Sequence, residues 1–223
     1  MASTKSSPTR TTRSKPFSLV PATVQRRMYQ LLSAMKPQSI SDAGVAEVAI
    51  CSALGKQDVA VLASKAIGAR KALRKYKAVN KGTHRLRKAI LMAVEDLMSD
   101  ATAAVVICAG RFHEEENYRD AVAFAARHHL PLLFVVSNTY TPGVRPRQDL
   151  RSLYPEFGIP VFSVDANDAI AAYRVATEAL HNARHHRIPC VIEALVTDKA
   201  GVKKTAALKL LQSYMERHDN WPL

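Results

Sequence analysis

The sequence predicts an α/β fold, with a three-layer parallel sheet flanked by helices and a helical N-terminal half. Residues 19–98 are rich in Ala, Leu, Lys and Arg and have little β-branched clustering, which favours helices. After Ser99 and Asp100, short β-type runs alternate with helical stretches of about 15 residues, and this alternation predicts a parallel sheet. The 223 residues, 48% of them hydrophobic, suffice for one sizeable core.

The N-terminal half is predicted to contain four helices. Pro37 ends the first, and Asp42 is placed to cap the second. A turn is expected at 80–83, where Asn, Lys, Gly and Thr follow one another. The four helices are predicted at 22–35, 42–54, 58–77 and 84–98.

The second half is predicted to form the sheet, and its carboxyl edge is the candidate site. The predicted strands are 103–108, 132–137, 161–164 and 190–195. The predicted helices are 115–129, 168–186 and 205–217, with a short helical turn at 148–154. Because ligands in such sheets bind where strands end and helices begin, we expect a site formed by residues 108–116, 137–143 and 165–168.

The termini and the charge limit the classes of protein. Residues 1–18 carry bases but no acid and no apolar run, so we expect a disordered basic tail, with a transit peptide as the alternative, before one domain over 19–223. No run is long enough to span a membrane.

The net charge of +13 leaves an anion or nucleic acid open as a partner. Aromatics make up only 6% and do not interleave with bases, which disfavours specific base readout.

The three cysteines, Cys51, Cys108 and Cys190, have no C-x-x-C spacing and sit among apolar neighbours. Reactive cysteines need an electropositive and partly exposed setting, and only Cys108 has a nearby base, Arg111. We therefore expect buried thiols in a reducing compartment, the cytoplasm.

Two stretches carry a family resemblance. Residues 105–140 read VVICAGRFHEEENYRDAVAFAARHHLPLLFVVSNTY, and residues 158–196 read GIPVFSVDANDAIAAYRVATEALHNARHHRIPCVIEALV. They resemble the alpha subunits of pyruvate and branched-chain 2-oxo acid dehydrogenases, which place Gly-Asp-Gly after a strand, then F-H-E-A-L-N, L-P-V-I-F-V and Glu-Asn-Asn, and later G-I-P, V-D-G-N-D and I-E-A. The resemblance covers roughly half the chain and implies the thiamin diphosphate-binding fold.

The resemblance also implies a cofactor site, in which this chain departs from the family at the metal ligands. The family holds the metal of thiamine diphosphate with the Asp of Gly-Asp-Gly and the second Asn of Asn-Asn. Here Gly110, or Ala109 if the register shifts by one, stands at the Asp position, and Thr139 stands at the second Asn. Thiamine diphosphate is therefore the expected cofactor, whereas magnesium binding is doubtful because its hard oxygen ligands are missing.

The implied cofactor-binding residues lie in two loops. Glu115, Asn138 and the Gly110 turn are kept from the family, and Arg111 offers a positive charge that could contact a diphosphate directly. Glu115 can instead simply favour the start of a helix, and Arg111 can be an exposed base at that helix start. The implied set is Gly110, Arg111, Glu115, Asn138, Thr139 and Tyr140.

No catalytic residue is assigned. The family's His-containing loop after I-E-A is replaced here by VTDKAGVKKTAAL, which has no histidine. Three functions follow: a divergent alpha-type subunit of a thiamine diphosphate-dependent 2-oxo acid dehydrogenase, an inactive pseudoenzyme used for assembly or regulation, or a basic anion- or nucleic-acid-binding protein. The expected partner is a second copy of the chain or a beta-type dehydrogenase subunit.

Overall fold

The computed structural model describes residues 18–36, 43–63, 66–76, 80–82, 86–108, 116–140, 157–197, 204–218 and 221. The described helices are α1 (Ala22–Ser33), α2 (Gly44–Ser52), α3 (Ile67–Tyr76), α4 (Leu86–Ser99), α5 (Glu116–Arg127), α6 (Ala169–His186) and α7 (Lys204–Arg217). The described strands are β1 (Asp58–Leu62), β2 (Asn80–Gly82), β3 (Ala103–Cys108), β4 (Leu132–Tyr140), β5 (Val161–Asp165) and β6 (Cys190–Thr197).

The strands form one sheet in the order β2-β1-β3-β4-β6-β5, and every pairing is parallel. The predicted parallel sheet is confirmed, as are the four strands predicted in the second half of the chain. Two of them run further than predicted, since β4 continues to Tyr140 and β6 to Thr197. These extra residues pair with each other and lengthen the carboxyl edge of the sheet, where a site is expected.

The helix predicted over 58–77 is wrong in its first part. Residues 58–62, Asp-Val-Ala-Val-Leu, form β1, which is buried throughout and pairs with β3 from Asp58 opposite Ala103 to Leu62 opposite Ile107. A short apolar run fits a buried strand and a helix equally well, so pairing with a distant strand decides its structure. The turn predicted at 80–83 is also wrong, because Asn80–Gly82 is a strand paired with β1. The N-terminal half is therefore not entirely helical.

Other predictions hold or fall outside the described residues. Six predicted helices are confirmed within a few residues as α1, α2, α4, α5, α6 and α7. Their predicted ranges are 22–35, 42–54, 84–98, 115–129, 168–186 and 205–217. The Asp42 cap and the helical turn at 148–154 lie outside the described residues. The division into a tail over 1–18 and one domain over 19–223 stays a prediction.

Helices cover both faces of the sheet and give it two apolar cores. On the first face, side chains of α1, α2, α3, α6 and α7 pack with strand residues such as Leu62 and Ile107. On the second face, α4 and α5 pack with the alternate strand residues, including Phe134 and Val106. This arrangement is the three-layer architecture predicted for the second half of the chain.

A buried ion pair joins three elements at the amino edge of the sheet. The Asp58 side chain is 1% exposed and lies against Arg184, near the end of α6. The Arg184 Nε donates to Asp58 Oδ1 at 3.1 Å, and Nη2 donates to Oδ2. Thr102 Oγ1 and the Gly55 amide donate to the same carboxylate at 3.0 and 2.6 Å. We call these four residues the amino-edge clamp.

Helices α2 and α3 touch at two glycines. A Cβ atom at Gly68 would lie 2.5 Å from the carbonyl oxygen of Gly44 and 2.9 Å from Glu47 Oε2. Glu47 is buried, and its Oε2 accepts a hydrogen bond from the Ala69 amide at 3.1 Å, in the first turn of α3. A side chain from one helix therefore caps the other, and this contact requires glycine at position 68.

Candidate functional site

The strand order predicts a ligand-binding crevice at the carboxyl edge of the sheet, between β1 and β3. From β1 the chain passes to β2 through α3 on the first face, whereas from β3 it passes to β4 through α5 on the second face. The two connections therefore leave in opposite directions from the neighbouring strands β1 and β3. Ligands in open parallel sheets bind at such a switch point. The loop after β3 contains Gly110, Arg111 and Glu115, which lie outside the described residues.

The end of β4 supplies the other predicted cofactor-binding residues, next to the crevice. Asn138 is 9% exposed, Thr139 is exposed, and Tyr140 is half-buried. Because side chains alternate along a strand, Asn138 and Tyr140 lie on the second face of the sheet and Thr139 on the first. The structure thus places Asn138, and not Thr139, on the face of the sheet that α5 covers.

The Asn138 amide belongs to a buried polar network that crosses three strands. Its Nδ2 donates to Glu193 Oε1 at 2.6 Å, and Ser163 Oγ donates to Glu193 Oε2 at 2.8 Å. Glu193 is only 4% exposed and lies opposite Val136 of β4 and Ser163 of β5. Since the amide nitrogen is used in the bond to Glu193, the orientation of the amide oxygen of Asn138 is fixed.

Sequence reasoning did not select Glu193 or Ser163 as site residues. Glu193 enters the sequence analysis only as part of Ile-Glu-Ala, the strand end that resembles the family. A stronger signal was available, because an acid inside the otherwise apolar strand β6 needs hydrogen-bond donors when it is buried. The sequence of β6 therefore already indicates that Glu193 has hydrogen-bond partners on neighbouring strands.

The third predicted loop, 165–168, lies away from the crevice. It follows β5, the outermost strand, which is three strands and about 14 Å from β3. Its two acids have local roles. Asp165 Oδ1 accepts from the Asn167 amide at 2.8 Å, and Asp168 Oδ1 accepts from the amides of Ile170 and Ala171 at 3.0 and 2.9 Å, which caps α6. This loop shares the carboxyl edge without joining the switch point.

The described residues at the end of β4 offer polar groups to a ligand at this edge. Asn138, Thr139 and Tyr140 are neutral and carry polar groups, while Mg²⁺ is usually held by carboxylates as well. Within the described part of the chain, no three His, Cys, Asp or Glu side chains are grouped so that they could hold a metal. A diphosphate can instead accept hydrogen bonds from amide and hydroxyl groups, which these residues provide.

Comparison with known proteins identifies the family. Residues 64–197, more than half of the chain, match the family described as dehydrogenase E1 component. No curated protein matches the chain in sequence. In the described residues, no helix has both the length and the apolar character needed to cross a bilayer.

Solved structures share the fold. An enzyme from Mycobacterium smegmatis described as thiamin diphosphate-dependent has a TM-score of 0.50 and 20% identity, over 71% of this chain and 32% of its own. Benzoylformate decarboxylase from Polynucleobacter necessarius has a TM-score of 0.51 and 15% identity, over 74% and 33% respectively. The chain thus spans about a third of the length of each neighbour, and at these identities the likeness concerns the fold. The match over residues 64–197 shows that the chain belongs to the dehydrogenase E1 component family.

Proposed function

We propose that this protein is a divergent alpha-type subunit of a thiamine diphosphate-dependent 2-oxo acid dehydrogenase. The observation that carries the proposal is that the family-matched segment contains the end of β3, one of the two strands at the switch point, and the Asn138 network on the neighbouring strand β4. Family membership and a ligand-binding edge therefore fall on the same residues.

In this proposal the diphosphate lies between the loop after β3 and the end of β4. Asn138, Thr139 and Tyr140 approach it from β4, and Gly110, Arg111 and Glu115 from the other loop, as the resemblance implies. Glu193 holds the Asn138 amide so that its oxygen and remaining N–H are presented in one orientation. Thiamine diphosphate, when bound, supplies the carbon nucleophile and electron sink for decarboxylation of a 2-oxo acid.

The metal requirement is proposed to be weak. In the family an Asp binds the metal, whereas here Gly110 or Ala109 stands at that position and Arg111 follows Gly110. A guanidinium can offset the negative charge of the diphosphate without a metal ion, through paired N–H donors. Binding of thiamine diphosphate should therefore change little when magnesium is removed.

Removal of the Asn138 side chain is the direct test of this site. We expect wild-type protein to bind thiamine diphosphate in titration calorimetry, with or without magnesium, and Asn138→Ala to bind at least about tenfold more weakly, because a hydrogen bond to a charged group is lost. The matched control is Asn182→Ala on α6, far from the crevice, which should bind like the wild type. Equal binding by both variants would place the diphosphate elsewhere.

A pseudoenzyme is the second candidate. Gly110 and Thr139, at the positions of the two metal ligands, and the absence of a family-type histidine in 196–208 favour it. The same calorimetry separates the two functions, since a pseudoenzyme that has lost its cofactor gives no heat with thiamine diphosphate at any magnesium concentration. A nucleic-acid-binding role, suggested by the net charge of +13, predicts salt-dependent retention on DNA.

The partner is proposed to be a second copy of this chain or a beta-type dehydrogenase subunit. A reducing, cytoplasmic location is proposed from the cysteines, because all three are buried and none forms a disulfide. Burial raises the pKa of Cys190 to about 12, with a further contribution from the negative charge of Glu178. Burial also raises the pKa of Cys51, as does the charge of Glu47.

These shifts predict inert thiols. A raised pKa leaves less thiolate at neutral pH, and the thiolate is the reactive species, so Cys51 and Cys190 in the native protein should react with a disulfide reagent at least about a hundredfold more slowly than in the chain unfolded in guanidinium. Raising the pH towards 9 should accelerate the unfolded chain more than the native one. Rapid labelling of one native thiol would contradict this expectation, and single Cys→Ser variants would identify it.

A further inference from the structure

An open apolar groove separates α4 from α5 on the second face of the sheet. It encloses about 510 Å³. Leu91 of α4 is 57% exposed and Phe124 of α5 is 47% exposed, and Met98, two turns after Leu91 and 82% exposed, extends the same side of α4. Single exposed apolar residues are common, but a contiguous group around a groove marks an interaction surface. The groove is lined by Arg87, Ile90, Leu91, Val94, Asp120, Ala121 and Phe124.

The exposed charges around this groove form a regular pattern. Both helices follow the carboxyl end of one strand and precede the next on the same face, so they run in the same direction. Helix α4 has exposed Arg87 and Lys88 at its start and exposed Glu95 in its second half. Helix α5 has the opposite order, with exposed Asp120 in the groove lining near its start and exposed Arg127 at its end, while the neighbouring exposed base Arg119 is not part of the groove lining. Positive and negative corners therefore alternate around an apolar centre.

Such a pattern is complementary to itself under a twofold rotation. If the axis crosses the helices, α4 lies antiparallel to α4 of a second copy, so that Lys88 faces Glu95 and Asp120 faces Arg127. If the axis runs along the helices, α4 lies on α5 of the second copy, so that Lys88 faces Asp120 and Glu95 faces Arg127. Opposite charges meet in both cases, which favours association of two identical chains.

We propose that this surface, which we call the α4–α5 face, is where two copies of the chain associate. The apolar residues form the centre of the interface, and the alternating charges form its rim. The mixture of positive and negative charges on this face matters because each chain carries a net charge of +13, so two copies repel one another in most relative orientations. A second copy is the occupant that matches both the order of the charges and the apolar groove.

The first test compares two exposed leucines. Sedimentation velocity over a range of concentrations should show that the wild type self-associates, and Leu91→Asp should raise the dissociation constant at least about tenfold. Leu210→Asp, at a leucine that is 53% exposed on α7, is the matched control and should associate like the wild type. A wild type that stays monomeric, or equal effects of the two changes, would overturn the proposal.

The second test exchanges charges. Lys88→Glu alone should weaken association under either axis. Adding Glu95→Lys restores association only if the axis crosses the helices, and adding Asp120→Lys restores it only if the axis runs along them. Failure of both combinations to restore it counts against the α4–α5 face. All these measurements are made without cofactor, so their result is independent of thiamine diphosphate binding.

Discussion

Replacement of Asp58 by alanine is expected to lower the free energy of unfolding by about 3–5 kcal/mol. The Asp58 carboxylate is 1% exposed and accepts from Arg184, Thr102 and the Gly55 amide. Its loss leaves these donors without their acceptor and separates the end of α6 from the starts of β1 and β3. Urea unfolding followed by circular dichroism measures the change.

Two further variants separate the ion pair from an effect of the substitution itself. Asp100→Ala removes an exposed acid in the turn after α4 and should change stability by less than about 0.5 kcal/mol. The double change Asp58→Leu with Arg184→Met should cost less than the sum of the single changes, since no charge then remains buried. If Asp58→Ala unfolds at the same urea concentration as Asp100→Ala, the amino-edge clamp does not stabilise the fold.

Gly68→Ala is expected to cost about 2–3 kcal/mol of stability, because its Cβ meets backbone that cannot move aside. The 2.5 Å approach to the Gly44 carbonyl oxygen requires α2 and α3 to separate, and this weakens the hydrogen bond from the Ala69 amide to Glu47. Thermal and urea unfolding should both report the loss.

The matched control is Gly158→Ala. A Cβ there meets nothing within 4 Å, but Gly158 has a φ of +61°, so alanine should cost about 1 kcal/mol through backbone strain alone. A smaller loss for Gly68→Ala than for Gly158→Ala would show that the two helices adjust freely and that the contact is not restrictive.

Much of the fold could be predicted from local patterns. The strands β3, β4, β5 and β6 are short apolar runs separated by helical stretches, and each was found within a few residues. Strand β1 was missed, because Val-Ala-Val-Leu runs on into a helix-forming segment and only pairing with β3, more than 40 residues later, makes it a strand. Strand β2 consists of turn-forming residues, which an edge strand tolerates since it pairs on one side.

The candidate site was predictable to a smaller extent. Asn138 was predicted from the family resemblance together with its place just after a predicted strand, and the structure puts it on β4, next to the switch point. Its partner Glu193 is 55 residues away in sequence, and the two meet only because β6 inserts between β4 and β5. A sequence pattern does not reveal an insertion of this kind. The same insertion moved the predicted loop 165–168 away from the crevice.

The amino-edge clamp lies at the end of the sheet opposite the crevice, and this separation has a consequence for the evolution of the protein. None of the four clamp residues lies at the carboxyl edge, so we expect substitutions of exposed residues there, such as Thr139, to change the free energy of unfolding little. Under the proposed function, Gly110 and Thr139, which stand where the family has its metal ligands, are exchanges of this kind. The architecture therefore tolerates drift in chemistry, and a family member can acquire a new cofactor preference without first being restabilised.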